Sequence, residues 1–94
     1  DMIRQLHVSA FFHAPSALSL NFGMSEHIRE LVEVQRALIA AADQVFVLAD
    51  SSKFETCAAL KVCDLSPRFL YLTDSGLSDE IRDAWKKASL DIIL

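Results

Sequence analysis

The run Val45-Phe46-Val47-Leu48-Ala49 constrains this chain more than any other stretch. Five consecutive apolar residues without polar alternation predict a strand buried on both faces, the pattern of a parallel sheet. Asp50-Ser51-Ser52-Lys53-Phe54 follows at once. A carboxylate, two hydroxyls and an ammonium arriving together do not belong in a core. Open α/β sheets bind ligands at the carboxyl ends of their strands, so this quartet is the first candidate site. Its chemistry suits a polyhydroxylated, anionic small molecule such as a sugar phosphate.

The rest of the chain supplies the layers around that strand. His7–Phe12 reads as a first strand, and His13–Met24, with Pro15, Ser16, Asn21 and Gly23, as a loop. Ser25 is expected to cap a helix over about Ser25–Ala42, with Glu26 in its first turn. Ile28, Leu31, Val32, Gln35, Leu38, Ile39 and Ala42 form its apolar stripe, and Arg29 and Glu33 stand four apart on the other face. Asp43-Gln44 then make a tight connection into the buried strand. Ala58–Cys63 reads as a short edge strand, Asp64–Pro67 as a turn, and Arg68–Thr73 as a third strand ending at Asp74. Ser75-Gly76 turns the chain. Ser78 caps a second helix that opens on Asp79 and Glu80, closes on Lys86 and Lys87, and buries Ile81, Ala84, Trp85 and Ala88. Asp91–Leu94 begins a last strand. This order predicts an α/β layered fold with a mainly parallel sheet flanked by helices, Rossmann-like in class.

Composition limits the function classes. Ninety-four residues make at most one small domain, and 52% hydrophobic content with two glycines describes a packed chain, not a disordered one. Nine Lys and Arg against thirteen Asp and Glu leave a net charge of −4, which opposes nucleic-acid binding by this segment. No apolar run approaches the roughly 18 residues of a membrane span. Cys57 and Cys63 share no metal-site spacing with the three histidines and read as reduced thiols of a cytoplasmic protein. Asp1 at the start, followed by an amphipathic stretch (Met2, Ile3, Leu6), reads as a fragment of something longer.

With these elements placed, the chain resembles the C-terminal sensor domain of DeoR-type bacterial transcription regulators. The blocks that carry the likeness are Val34-Gln35-Arg36-Ala37-Leu38-Ile39, Val45 through Phe54, and Leu72-Thr73-Asp74, with Gly23-Met24-Ser25 ahead of the helix. The family pattern is a helix with Val-Lys-Arg-Ala-Met-Ile, a strand leading into Asp-x-Ser-Lys-Phe, and a strand ending in Thr-Asp. The resemblance implies a regulator of sugar-utilisation genes whose sensor domain binds a phosphorylated sugar and is similar in fold to ribose-5-phosphate isomerases. It implies DNA contact only through an N-terminal helix-turn-helix outside this chain, which then holds the C-terminal part of the effector-binding domain. It also implies a homo-oligomer without cofactor or membrane attachment. The sequence departs from the pattern where His13-Ala14-Pro15-Ser16-Ala17-Leu18 replaces a glycine-rich loop, where Leu31 takes the place of a carboxylate beside Glu30, and where Gln35 replaces a lysine.

The candidate effector-binding residues are Lys53, Asp50, Ser52, Ser25, Asp74, Glu30 and His13. Lys53 offers an ammonium to a phosphate or sugar hydroxyl. Asp50 accepts from sugar hydroxyls or closes an Asx turn onto Ser52, and Ser52 donates to a ligand or caps that turn. Ser25 places a hydroxyl at an expected helix start, where an anion is favoured. Glu30 reaches from the helix, Asp74 from a strand end, and His13 lines the loop that lost its glycines. The rival functions are a sugar-phosphate isomerase and an oligomerisation module without ligand. An isomerase needs a carboxylate base with an acid partner. The isomerases carry an Asp-Gly-Ala-Asp loop and a helical Glu where this chain has His13-Ala14-Pro15-Ser16 and Gln35, so no catalysis is expected.

Overall fold

The structure, a computed structural model, describes residues 7–94; the stretch expected at Met2, Ile3 and Leu6 lies outside them. The elements run β1 (Val8–His13), β2 (Ala17–Ser19), β3 (Gly23–Glu26), α1 (Arg29–Ala41), β4 (Ala42–Leu48), β5 (Leu60–Cys63), β6 (Leu70–Leu72), α2 (Asp79–Lys87) and β7 (Asp91–Ile93), with a 3-10 turn at Ser51–Lys53. Four strands form a parallel sheet in the order β1-β4-β6-β7. The expected α/β class with a mainly parallel sheet is what forms.

Both crossovers that carry a helix, β1 to β4 and β6 to β7, step the same way across this sheet. Right-handed connections then place α1 and α2 on one face. The core lies there, where Val45, Val47 and Tyr71 meet Ile39, Leu77, Leu90 and Trp85. Trp85 packs edge-on to Tyr71 at 5.1 Å and tilted to Phe54 at 4.9 Å. The opposite face is apolar and open. Phe12 and Phe46 pair in register and stack at 4.9 Å, and Phe12, Leu48 and Ile93 are 61%, 40% and 44% exposed. The central strand is therefore buried on one face only: Val45 and Val47 point in, while Phe46 is half-buried and Leu48 exposed.

A second sheet corrects the expected loop over His13–Met24. Three antiparallel strands in the order β2-β3-β5 form there, with Ala17 opposite Ser25, Ser19 opposite Gly23 and Met24 opposite Cys63. Gly23 makes the hairpin possible. Its φ is +77°, and a Cβ would overlap the Cys63 carbonyl oxygen. β5 does lie at an edge, but of this sheet.

The start of the first helix is also corrected. Ser25 and Glu26 are buried in β3, α1 begins at Arg29, and its N-cap Ile28 supplies no side-chain hydrogen bond. A Ser-Glu pair ahead of an apolar period suits a cap or a strand end, and pairing with β5 decides for the strand. Val32, Ala37 and Ile39 form the buried stripe, whereas Ile28 and Leu31 are exposed. Asp43 and Gln44 belong to β4, because α1 passes straight into that strand. The carbonyls left over at this junction are met by Arg68, whose Nη2 donates to Ile39 O (2.8 Å) and Ala42 O (3.2 Å). In α2 the Ser78 hydroxyl accepts from Ile81 N as expected, with acids in the first turn and lysines in the last. No helix among the described residues is long and apolar enough to cross a membrane.

Candidate functional site

β4 delivers the Asp50–Lys53 turn to the carboxyl end of the parallel sheet. Ala49 N donates to Leu72 O at 3.1 Å, so the chain leaves the sheet beside the end of β6. Asp50 Oδ1 then accepts from Ser52 N at 2.9 Å and from the Ser52 hydroxyl, which closes an Asx turn. Asp74, just past β6, clasps the same turn. Its Oδ2 accepts from Ser51 N (3.1 Å) and its Oδ1 from Gly76 N (2.8 Å). The Ser51 amide, followed by that of Gly76 and the Ser51 hydroxyl, holds the Asp74 carboxyl below its ordinary range. A Cβ on Gly76 would sit 2.8 Å from Ser51 Oγ and 2.9 Å from Asp74 Oδ1. The two strand-end loops are thus fastened together by the Asp74 carboxylate, which accepts from a backbone amide of each.

Lys53 stands at the end of this turn, half-buried. Its amide donates to Asp50 O at 3.0 Å and its carbonyl accepts from Thr56 Oγ1 at 2.7 Å. Its ammonium enters no ion pair among the described residues; those pairs are His7–Asp43, Arg36–Glu33 and Lys61–Asp64. Asp50 and Ser52, by contrast, spend hydrogen bonds on each other. Phe54 is core, bridged to Leu18 of β2.

One further residue holds the segment after the turn in place, and sequence reading missed it. Glu55 adopts a left-handed φ of 58°, and its Oε2 accepts from Leu20 N (3.1 Å) and Trp85 Nε1 (2.8 Å). Its partners lie 35 and 30 residues away, so no local signal marks it. Thr73 Oγ1, at the end of β6, is buried without a hydrogen-bond partner among the described residues.

A polar cluster lies on the other side of β2. Glu26 is only 5% exposed, yet its carboxylate accepts from Ser16 Oγ (2.5 Å), Gln35 Nε2 (2.9 Å) and His27 N (2.9 Å). Burial pushes its carboxyl up, but the bonds from Ser16, Gln35, His27 and the Ile28 amide outweigh that and hold it at about 2. His13, at the end of β1, is 2% exposed, and its Nε2 has no hydrogen-bond partner among the described residues. Burial draws the imidazole below its ordinary value, with the Glu26 charge opposing. The sequence reading named His13 and passed over Glu26, which it placed on a solvated helix turn.

Two candidates remain, Ser25 and Glu30. Ser25 is fully buried in β3, where its Oγ accepts from Ala58 N at 2.9 Å; it stands at no helix N-terminus, contrary to the reason for naming it. Glu30 is exposed on the first turn of α1. Three surface clefts lie along α1, between α1 and β5, and between α2 and β7, and Lys53 lines none of these three. Among the described residues no group of His, Cys, Asp and Glu is arranged to hold a metal ion. Cys57 and Cys63 are free thiols.

The Asp50–Phe54 turn and the Thr73-Asp74 strand end that clasps it both lie within the first 75 residues of the chain. The family model of the DeoR C-terminal sensor domain matches residues 1–75. The chain belongs to this family. A DeoR sensor domain also accounts for its relatives. It is 25% identical over 92 residues to a protein of Escherichia coli O157:H7 named for transcriptional repression of the aga operon, covering 98% of this chain and 34% of that one. It is 30% identical over 94 residues to a protein of Escherichia coli K12 named for transcriptional regulation of the sgc region, covering 100% and 36%. It is 25% identical over 81 residues to the L-fucose operon activator of Haemophilus influenzae, covering 86% and 32%. This DeoR-type chain spans about a third of the length of the curated relatives it matches.

Proposed function

We propose that this domain is the effector-binding part of a DeoR-type regulator of carbohydrate metabolism, and that its effector is a phosphorylated sugar. The observation that carries this reading is Lys53. It is held at the sheet's ligand-binding end by a turn whose own carboxylates are committed to backbone and hydroxyl donors, so its ammonium has no counter-ion among the described residues. A phosphate supplies that counter-ion, and sugar hydroxyls suit the serines and acids nearby. In this reading Asp50, Ser52 and Asp74 shape the turn, and Ser25 and Glu30 take no direct part. DNA is contacted by a helix-turn-helix outside these residues, in a cytoplasmic homo-oligomer whose arrangement the effector biases.

Catalysis is not part of the proposal. Glu26 is the carboxylate closest in kind to an isomerase base, but hydrogen bonds hold it at about 2. A general base works best with a pKa near the working pH, and Glu26 falls about five units short.

Thermal melts of the full-length protein carrying this domain, against a panel of pentose and hexose phosphates, test the reading. One member at a hundredfold excess over its Kd adds about 2.7 kcal/mol of stability. Lys53→Met weakens its binding by 1.5–3 kcal/mol, roughly ten- to a hundredfold. A panel that shifts nothing, with a concentration-dependent melt, overturns the proposal in favour of assembly alone.

A further inference from the structure

We propose that the open face of the parallel sheet seats a pair of amphipathic helices from the part of the full-length polypeptide outside these residues. The proposal concerns packing and stands whatever the effector is.

The first reason is the pattern of the face. Strand pairing sets two apolar rows across it. Phe12, Phe46 and Leu70 stand side by side in one row, and Leu48, Leu72 and Ile93 in the next. Along their strands these six alternate with residues of the packed face such as Val47, Tyr71 and Ile92, so they share the opposite side. Asp91 ends the first row at β7. All-parallel sheets carry helices on both faces as a rule, and two unbroken apolar rows are what a helical layer packs against.

The second reason is that the described residues supply no cover of their own. Ile39 of α1, Trp85 of α2, and Leu18, Met24 and Val62 of the second sheet all join the one core on the packed face. Phe12, Leu48 and Ile93 are left exposed.

The third reason, the size of the face, decides between a second copy and the same polypeptide. Four strands of three to seven residues, about 4.8 Å apart, make a face of roughly 300 Å². A stable dimer buries about 800 Å² on each partner, so this face alone falls well short for a second copy. Segments of the same polypeptide are held at high effective concentration by the chain that joins them and need no such area. Two helices packed about 9 Å apart span the four strands. The curated relatives are about three times as long as the part of them that this chain matches. A full-length protein of that size has ample chain for two more helices.

The test is photo-cross-linking of the full-length protein with p-benzoylphenylalanine in place of Phe12 or of Leu48. The expected main product, from at least one of the two positions, runs at monomer mass on a denaturing gel. Mass spectrometry should map it to a segment outside residues 1–94 whose apolar residues recur every three or four positions. A main product of doubled mass seats a second copy on the face and overturns the proposal. So does a main product joined within residues 1–94, one joined to a segment without that spacing, or no product at either position. Both side chains are exposed, and should one variant lose its cooperative melt, the other carries the same prediction.

Discussion

Glu26 shows how one side chain sets the chemistry of its surroundings. Its carboxyl is held at about 2 against an ordinary 4.5, so the unfolded chain takes up the proton first as pH falls. The stabilisation is fully present above about pH 4.5 and is lost towards pH 2. Urea melts should show the stability difference between wild type and Glu26→Gln shrinking by on the order of 3 kcal/mol between pH 6 and pH 2. His13 works in the same direction at higher pH. Burial lowers its imidazole, so protonation favours the unfolded chain once pH drops below about 6.5, and His13→Asn should flatten the stability curve there. Gly23 is a backbone case. With φ at +77° and the Cys63 carbonyl in the way, Gly23→Ala should cost about 2 kcal/mol or more in a denaturant melt. Sequence alone could supply the residue types but not these neighbours. Glu26 meets Ser16 and Gln35 only because a hairpin and a helix converge, and a glycine in a polar stretch reads as a loop before it reads as a hairpin.

At the scale of elements, local signals were sufficient wherever a segment's own pattern agreed with its surroundings. The second helix carried a serine cap, acids first and lysines last, and its ends formed as read, but of its expected stripe only Trp85 is buried, with Ile81 half-buried and Ala84 and Ala88 exposed. Ser78→Ala should lower stability by about 1 kcal/mol. The first helix carried a cap signature that tertiary pairing overrode, leaving Ile28 at its start with no side-chain cap. Ile28→Ser, at a site already half exposed, should therefore raise the melting midpoint, with a gain of about 0.5–1 kcal/mol. The three-stranded sheet was hidden for a related reason. Its strands are three or four residues long, too short for alternation to stand out against the serines, and they are held by one another more than by propensity. The Asp50–Lys53 turn was visible because the strand before it is long and apolar. Its clasp by Asp74 was not, since the two meet only when β4 and β6 lie side by side.

For the molecule as a whole, the order of the sheet has a consequence that the burial of any single residue conceals. A ribbon of parallel strands with its helices gathered on one side behaves as a two-sided tile, one side finished and the other bare. Phe12, Phe46, Leu48 and Ile93 make the bare side wettable only at a cost. Purified by itself, this stretch should be oligomeric or prone to precipitate at concentrations where most small proteins stay clear. Phe12→Lys and Leu48→Lys together should raise its solubility limit severalfold by light scattering, with little change in the melt of the packed side. The same hydrocarbon that blocks a quiet life as a free monomer gives the chain its adhesive back.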